Sequence, residues 1–243
     1  MNPSGLSVFI PAYNAAATLP EVIRRIPSDL WSEIGTVTVI DDGSRDDTSG
    51  SVARLQGEFP KLRLHRFESN RGYGQAVRRG LGACRESESD FSACLHADGQ
   101  YPPERLGPFL EHMRRHRLDL LQGSRHLQGT ARQGGMPIYK IAAGRLLTWL
   151  ENRSFGLDMT DYHSGFIMYS RKALHGIPFE RLSGYFDFDL EVIACARARG
   201  MRIAELGIPT RYAEEKSHLN PVKYGLRTLR VMARYRMGKY GAA

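Results

Sequence analysis

The sequence of 243 residues predicts one α/β domain with a mostly parallel central sheet and flanking helices. Strand-like segments alternate with helix-like segments over the first half of the chain, which is typical of βαβ units. The strand-like segments are short, nearly continuous apolar runs, as in strands that are covered on both faces. Hydrophobic residues make up 42% of the chain and charged residues 25%, which excludes a disordered chain, a collagen-like repeat and a disulfide scaffold.

Five segments predict parallel strands because apolar or β-branched residues fill them and a polar or glycine-containing segment follows each one. In chain order they are Leu6–Ile10, Thr36–Ile40, Leu62–Phe67, Phe91–Leu95 and Leu118–Leu121. In open α/β sheets the ligand crevice lies at the carboxyl ends of the strands. We therefore expect the polar groups at these ends to converge, namely Asp41, Asp42, Asn70, Gly72, Gly74, His96, Asp98, Gln100 and Arg125.

Capping and breaker residues predict the helices between these strands. The helices begin, in chain order, at Thr18, at Asp47 or Thr48, at Tyr73 and at Pro102. Thr18 is an N-cap ahead of a proline and an acidic residue, which is a strong start signal. The third helix, Tyr73–Cys84, is rich in small residues, so we expect it to pack closely on the sheet.

The second half of the chain begins with a segment rich in Gly, Gln and Arg, 123–135, which reads as a mobile loop. The elements predicted after it are an amphipathic helix Met136–Leu150, a strand Tyr162–Tyr169, a helix Asp187–Arg199, a strand Arg202–Leu206 and a basic amphipathic helix from Pro221 onward. Each amphipathic helix either lies on an anionic membrane surface or packs an apolar stripe on the core and exposes its basic face.

The net charge of +8 favours an anionic partner, which the charge alone leaves open between nucleic acid, a phosphorylated substrate and an acidic membrane surface. No zinc-finger or other nucleic-acid signature is present, so no nucleic acid is expected. No apolar run is long enough for a membrane span, and no signal peptide is visible at the N-terminus. Three scattered cysteines, Cys84, Cys94 and Cys195, predict buried thiols in a reduced, cytoplasmic setting.

The segment His96–Gln100 places a carboxylate beside a glycine at a strand end. Asp98 could hold Mg²⁺ or Mn²⁺ against a diphosphate, with the Gln100 carbonyl and His96 as further ligands. Asp-Gly is also a common turn pair, and taken alone the turn is the simpler interpretation.

Two other segments are equally ambiguous by themselves. Asp41 and Asp42 could receive donors from a nucleobase or ribose, or could cap a helix. Asn70–Ala76 is glycine-rich at a strand-to-helix junction, which suits close approach of a ligand to the backbone. It matches neither the dinucleotide-binding fingerprint nor the phosphate-binding loop of P-loop NTPases.

Four segments together have the order and spacing of one family: Ile10–Asn14, Val39–Asp46, Asn70–Gly74 and His96–Gln100. The chain resembles the family 2 inverting glycosyltransferases with a GT-A (Rossmann-like) fold. Within them it is most similar to the polyprenyl-phosphate (dolichyl-phosphate) sugar synthases and related bacterial enzymes. The resemblance extends from about Leu6 to about Ser217 and is strongest before Arg125.

The resemblance implies a metal-dependent inverting transfer of a sugar from a nucleoside-diphosphate sugar to a polyprenyl-phosphate-type lipid acceptor. One alternative is a soluble glycosyltransferase that acts on a hydroxyl of a glycan, protein or small molecule. A more distant alternative is a non-catalytic nucleotide or nucleic-acid-binding module.

Site roles follow from the same resemblance. Donor nucleotide contacts are implied at Pro11, Tyr13, Asn14, Asp41, Asp42, Gly43, Asn70, Gly72 and Gly74. The metal, Mn²⁺ or Mg²⁺, is assigned to Asp98 with Gln100 and His96. Contacts to the acceptor or its phosphate are implied at Arg125, Lys140, Ser164, Ser217 and His218. For a hydroxyl acceptor the candidate general bases are Asp187, Asp189 and Glu191, although Asp187 could instead cap a helix and Glu191 could lie on its solvated face.

Four positions depart from the pattern of the polyprenyl-phosphate enzymes. His96 stands in place of the first acid of the D-x-D motif, and Ala15 in place of a glutamate. Ile167 replaces an arginine and His218 a lysine. The departures after residue 125 affect the acceptor side more than the transfer of the sugar itself.

The predicted domain plan is one catalytic domain, 1–220, followed by the C-terminal basic helix, 221–243. Residues 1–125 form the nucleotide-sugar half and 126–220 the acceptor half. The expected partners are the donor, a lipid-phosphate or glycan acceptor and an anionic membrane, and a homodimer stays open. The expected location is the cytoplasm, peripherally at the inner face of the membrane.

Overall fold

The computed structural model describes residues 5–87, 89–127, 138–209 and 221–241. These residues contain a seven-stranded sheet in the order β3-β2-β1-β4-β6-β5-β7. The strands are β1 Leu6–Ala12, β2 Ile34–Asp41, β3 Leu62–Arg66, β4 Phe91–Cys94, β5 Leu120–Ser124, β6 Ile167–Ser170 and β7 Ile203–Gly207. Only β6 runs antiparallel to its neighbours, β4 and β5. The mostly parallel sheet predicted from the sequence is therefore confirmed.

Helices cover both faces of this sheet. They are α1 Leu19–Arg24, α2 Thr48–Leu55, α3 Tyr73–Glu86, α4 Leu106–His116, α5 Ile138–Phe155, α6 Arg171–Gly176, α7 Phe188–Ala198 and α8 Pro221–Arg236. The helix predicted from Pro102 begins as a short 3₁₀ turn, Pro103–Arg105, before α4. Thr18 and Asp47 occupy the N-cap positions of α1 and α2, but neither side chain makes a capping hydrogen bond.

The strand predicted over Tyr162–Tyr169 is wrong in its first half, because β6 begins only at Ile167. Side chains bind the backbone that precedes it. The Gly165 N–H donates to the Tyr101 hydroxyl at 3.0 Å, and the Ser164 carbonyl accepts from the Gln122 amide at 2.7 Å. These hydrogen bonds satisfy backbone groups that a strand would have paired with its neighbours.

Two buried cores lie on the two faces of the sheet, because alternate residues of a strand point to opposite faces. Val8 and Ile10 of β1 join the core under α1 and α4, whereas Phe9 joins the core under α3, α6 and α7. A side chain at Gly80 would collide with Phe9, which explains why a helix of small residues packs there. Cys84, Cys94 and Cys195 are free thiols buried as predicted.

The C-terminal helix α8 packs on the rest of the fold through its inner face. Arg234 of α8 donates to the buried Glu191 of α7 at 2.8 Å, and Tyr235 packs edge-on against Phe155 of α5. The Tyr224 hydroxyl lies 2.7 Å from Nδ1 of His163. Within the described part of the chain, no helix is both long enough and apolar enough to span a membrane.

Candidate active site

The carboxyl ends of the parallel strands meet at one edge of the sheet, as the strand pattern predicts. In the register of β1 and β2, Ala12 lies beside Asp41, and Asp41 lies beside Arg66 of β3. The Asp42 N–H donates to the Ala12 carbonyl at 2.8 Å, and β4 ends on the other side of β1. The predicted nucleotide and metal segments therefore lie next to one another.

Asp41 is fully buried and both of its carboxylate oxygens bind protein groups. Oδ1 accepts from the Ser44 N–H at 2.8 Å, and Oδ2 accepts from the Ser49 hydroxyl at 2.5 Å. The Arg66 guanidinium approaches Oδ2 at 3.7 Å. Asp41 thus closes the turn after β2, and its contact with a nucleotide stays a prediction.

Asp42 joins the turn after β2 to the glycine-rich segment that precedes α3. Oδ1 accepts from the Arg71 N–H at 2.7 Å, and Oδ2 accepts from the Gly72 N–H at 2.9 Å. Gly72 has φ +91°, a conformation that side-chain-bearing residues rarely adopt. The carboxylate therefore holds the loop in the one conformation that starts α3 at Tyr73.

Asn14 fixes the loop after β1. Its φ is +50°, its N–H donates to the Ser44 hydroxyl at 2.9 Å, and its side-chain oxygen accepts from the Arg45 N–H at 2.8 Å. Tyr13 is 45% exposed, and Asn14 and Asn70 are also exposed. Among the predicted donor contacts these three residues are the most accessible to a ligand.

The remaining predicted donor residues lie on the backbone framework of the same edge. Pro11 is a partly buried residue of β1, and Gly43 has φ +67° in the turn after β2. Gly74, in the first turn of α3, lies against the backbone of Gly184, where a Cβ atom would come within 2.5 Å of the Gly184 carbonyl carbon. This contact brings the segment 183–189 over the start of α3.

The candidate metal ligands follow β4 in a tight turn. Oδ1 of Asp98 accepts from the Gln100 N–H at 3.0 Å. The segment therefore forms the turn that its Asp-Gly pair predicts. No group of three or more His, Cys, Asp or Glu side chains with metal-site geometry occurs in the part of the chain that the structure describes. One carboxylate, one imidazole and one amide suit a hard cation that takes its other oxygen ligands from a diphosphate.

His96 is enclosed by aromatic rings, and its pKa is lowered, which favours the neutral imidazole. Its ring lies edge-on to Tyr101 and Tyr73, with centroid distances of 4.8 and 5.5 Å. Burial lowers the pKa of His96, Asp98 opposes that shift, and Arg125 adds to it. A neutral imidazole has a lone pair available to a metal.

Asp189, the second of the three candidate bases at 187–191, is linked to His96 through the Tyr73 hydroxyl. Its Oδ2 accepts from the Tyr73 hydroxyl at 2.8 Å. Burial raises the pKa of Asp189 to about 7. A carboxylate with a pKa near the working pH has the proton affinity that a general base needs.

Asp187 and Glu191 bind protein groups instead. Asp187 accepts from the Ser183 hydroxyl at 2.7 Å and lies 3.5 Å from the Arg227 guanidinium of α8. Glu191 is 1% exposed, which rules out the solvated helix face that the sequence allowed. It accepts from the Ser183 N–H, Arg234 and the Tyr240 hydroxyl, and these contacts favour a structural role over that of a base.

Arg125 follows β5 and is held by a buried carboxylate. Its Nε and Nη2 atoms donate to the two oxygens of Asp161 at 2.7 and 3.1 Å. Burial pushes the pKa of Asp161 up, but the charge and hydrogen bonds of Arg125 outweigh it and leave that pKa lowered. Arg125 is thereby fixed at the active-site edge, where the sequence predicted a phosphate contact.

Among the other predicted acceptor residues, Ser164 has a side chain that the structure describes. Ser164 is fully buried in the segment that carries the Gln122 and Tyr101 contacts. The side chain of Lys140 and the residues Ser217 and His218 lie outside the described residues.

Sequence reasoning missed two residues that join these groups, Tyr73 and Asp161. Tyr73 stands inside the glycine-rich segment, so its position could have drawn attention to it. Asp161 adjoins a segment that was predicted to be a strand, and nothing in the sequence marks it as the partner of Arg125.

The profile of the family described as glycosyl transferase family 2 matches residues 7–177. The chain belongs to this family. The chain is therefore a glycosyltransferase, and the GT-A fold implied by its motifs is confirmed.

Two curated relatives illustrate the range of the family. The chain is 24% identical to a UDP-N-acetylglucosamine–dolichyl-phosphate N-acetylglucosaminyltransferase of Methanococcus voltae, over 85% of this chain and 86% of the relative. It is 28% identical to a dolichol-phosphate mannosyltransferase of Pyrococcus furiosus, over 71% of this chain but only 48% of the relative.

Solved structures agree on the fold. Glucosyl-3-phosphoglycerate synthase from Mycobacterium tuberculosis, crystallised with Mn²⁺, UDP and glucosyl-3-phosphoglycerate, superposes with a TM-score of 0.67 at 22% identity. The match covers 96% of this chain and 80% of that structure.

Proposed function

We propose that this glycosyltransferase moves a sugar from a nucleoside-diphosphate sugar to a lipid-linked phosphate at the surface of an anionic membrane. The observation that carries the proposal is the cluster at the edge of the sheet, where Asp98 and His96 meet Asp189 through Tyr73. Curated relatives are named for dolichyl-phosphate and undecaprenyl-phosphate acceptors, which supports the lipid phosphate.

The donor binds along the loops after β1, β2 and β3. The exposed ring of Tyr13 offers a stacking surface for the base, and Asp42 holds the glycine-rich loop in place. The diphosphate then lies toward Asp98 at the end of β4. The divalent cation, Mn²⁺ or Mg²⁺, would be held by Asp98 with His96 and Gln100, and it would neutralise charge that develops on the leaving diphosphate.

The protein's own groups orient the acceptor for attack on the anomeric carbon from the face opposite the leaving group. A phosphate acceptor is already an anion and needs little help from a base. Arg125, fixed by Asp161, places a positive charge close enough to His96 to affect its pKa. A cation in this position stabilises an anionic acceptor without further rearrangement.

The outer surfaces of α5 and α8 favour contact with a membrane. Leu146 and Trp149 of α5 are each 61% exposed, and Leu226 and Leu229 of α8 are 63% and 50% exposed. The exposed residues Arg145, Lys223 and Arg230 lie on the same two helices. Apolar side chains among basic ones bind the interface of an anionic bilayer.

A second candidate function is transfer to a hydroxyl group. The raised pKa of Asp189 favours it, because a hydroxyl acceptor requires a general base and a phosphate does not. Asp189 is buried, so the acceptor hydroxyl would have to reach it between Tyr73 and the segment 183–187.

Calorimetric titration with UDP, GDP, dTDP and CDP, in Mn²⁺, Mg²⁺ and EDTA, tests the donor site. One nucleotide is expected to bind tightly only with metal, and Asp98→Ala is expected to abolish the metal effect. Absence of binding to all four nucleotides under every metal condition would refute the proposal. The matching sugar nucleotides are then assayed with a polyprenyl phosphate and with hydroxyl acceptors, and turnover confined to the hydroxyls would select the second candidate.

Flotation with vesicles tests the membrane surface. We expect binding to phosphatidylglycerol-containing vesicles and loss of binding in the double variant Leu226→Gln/Leu229→Gln. Leu64→Gln on β3, a partly exposed leucine, is the matched control and should float like the wild type. Equal flotation of the double variant and the wild type would exclude α8 as the contact.

A further inference from the structure

The hydroxyl of Tyr73 joins three segments that are far apart in the chain. It lies 3.2 Å from Nε2 of His96 and 2.8 Å from Oδ2 of Asp189. Tyr73 itself is the first residue of α3 and follows the glycine that Asp42 holds. One hydroxyl therefore connects the donor loop, the candidate metal turn and the acceptor-side helix.

Counting hydrogens at this hydroxyl assigns the protonation of the imidazole. A phenol has one hydrogen to donate, and Tyr73 donates it to the Asp189 carboxylate, which in its ionised form can only accept. The contact between Tyr73 and His96 then needs a hydrogen on Nε2 of His96, which donates to the Tyr73 oxygen. A neutral imidazole with its hydrogen on Nε2 has its free lone pair on Nδ1.

Packing fixes the orientation of both rings. The Tyr73 ring stacks on Phe186 with centroids 5.5 Å apart and planes 12° apart, and His96 lies edge-on to Tyr101. On the remaining side, a Cβ atom at Gly165 would come within 2.5 Å of Nε2 of His96 and 2.7 Å of the Tyr73 hydroxyl. The rings therefore have little room to turn, and the absence of a side chain at Gly165 lets the pair exist.

We propose that Tyr73 is a positioning residue, which holds His96 in the Nε2–H tautomer and leaves Nδ1 as the nitrogen that ligates the divalent cation beside Asp98. This inference rests on the proposed function, because it assumes a cation at Asp98. Histidine ligands in proteins are usually oriented by a hydrogen bond from their other ring nitrogen to an oxygen. Here the oxygen is the phenol of Tyr73, which Asp189 polarises in turn.

Long-range ¹H–¹⁵N correlation spectra of the histidine side chains test the tautomer directly, without substrate. The His96 signals are assigned as those missing from the His96→Gln protein. We expect the wild type to be protonated on Nε2 and not on Nδ1, and Tyr73→Phe to be a mixture of the two tautomers. Tyr235→Phe is the matched control, since its ring packs on Phe155 of α5, and it should give the wild-type spectrum.

Binding of Mn²⁺ itself, followed by electron paramagnetic resonance with and without UDP or GDP, tests the consequence for the metal. Tyr73→Phe keeps the stack on Phe186 but should weaken Mn²⁺ about tenfold or more, as loss of an orienting hydrogen bond does elsewhere. Asp189→Asn retains an oxygen acceptor for the Tyr73 hydroxyl, so it should lose much less than Tyr73→Phe.

Two results would overturn the inference: a wild-type His96 protonated on Nδ1, or wild-type Mn²⁺ affinity in Tyr73→Phe. A wild-type protein that binds no Mn²⁺ even with nucleotide would instead refute the metal-dependent function. In that case the spectra still decide whether Tyr73 fixes the tautomer, so the two failures are distinguishable. Thermal unfolding followed by circular dichroism verifies that each variant is folded.

Discussion

Replacing Asp42 by alanine tests whether this residue anchors the glycine-rich loop or binds the nucleotide directly. Its two oxygens accept the Arg71 and Gly72 N–H groups at 2.7 and 2.9 Å, and the residue is 4% exposed. A hydrogen bond to a charged group contributes about 1.5–3 kcal/mol, so loss of both bonds costs about 3 kcal/mol at the lower end. For a chain of this size that lowers the melting temperature by roughly 6–12 °C.

Asp98→Ala is the matched comparison, because its carboxylate accepts one backbone N–H, from Gln100, and is only half-buried. We expect it to cost about 1 kcal/mol or less and to abolish the metal dependence of nucleotide binding. The assay is urea unfolding followed by circular dichroism, with nucleotide titration of each folded variant. Asp42→Ala with wild-type stability but no nucleotide binding would refute the anchor and make Asp42 a direct ligand.

Three further predictions concern buried groups in the site and beneath α8. Gly165→Ala should displace His96 and lower Mn²⁺ affinity in the presence of UDP, because the new Cβ atom would come within 2.5 Å of Nε2; unchanged affinity would contradict the tight packing. Arg234→Met should destabilise the fold by about 3–5 kcal/mol in urea unfolding, since it leaves the buried Glu191 without its cation. Arg236→Met, an exposed arginine on the same helix, is the control and should stay within about 0.5 kcal/mol of the wild type. The pKa of Asp189 is raised from an ordinary 3.8 to about 7, so its contribution to stability is full below pH 4 and is lost as the pH rises through 7. Asp189→Asn should therefore gain stability relative to the wild type between pH 4 and 8, and parallel stability curves would contradict the raised pKa.

The sequence predicted that the strand-end segments of the donor half converge, because their signals are local. Strand-ending clusters such as Asp41–Asp42 and His96–Asp98 are contiguous in the chain, and the rule that parallel strands end at one edge brings them together. The role of each carboxylate was not predictable, because it depends on distant partners. Asp42 receives its donors from a loop 29 and 30 residues away.

The secondary structure of the second half of the chain was predicted less well for the same reason. Strand β6 enters the sheet between β4 and β5, and the segment before it bonds to side chains, so the periodicity of Tyr162–Tyr169 was misleading. The pairing of Arg125 with Asp161 joins residues 36 positions apart, and the sequence around either residue does not predict the other as its partner.

The sequence by itself determined the α/β class, the order of most elements and the family, and it predicted the ligand edge, because these depend on periodicity and on contiguous motifs. Only the tertiary structure decided which polar groups bind one another across that edge. The clearest case is Tyr73 with Asp189, which lie 116 residues apart yet share one hydrogen bond. Contacts of that kind are set by how α3 and α7 pack on the sheet, and the packing of two helices is not encoded in either helix alone.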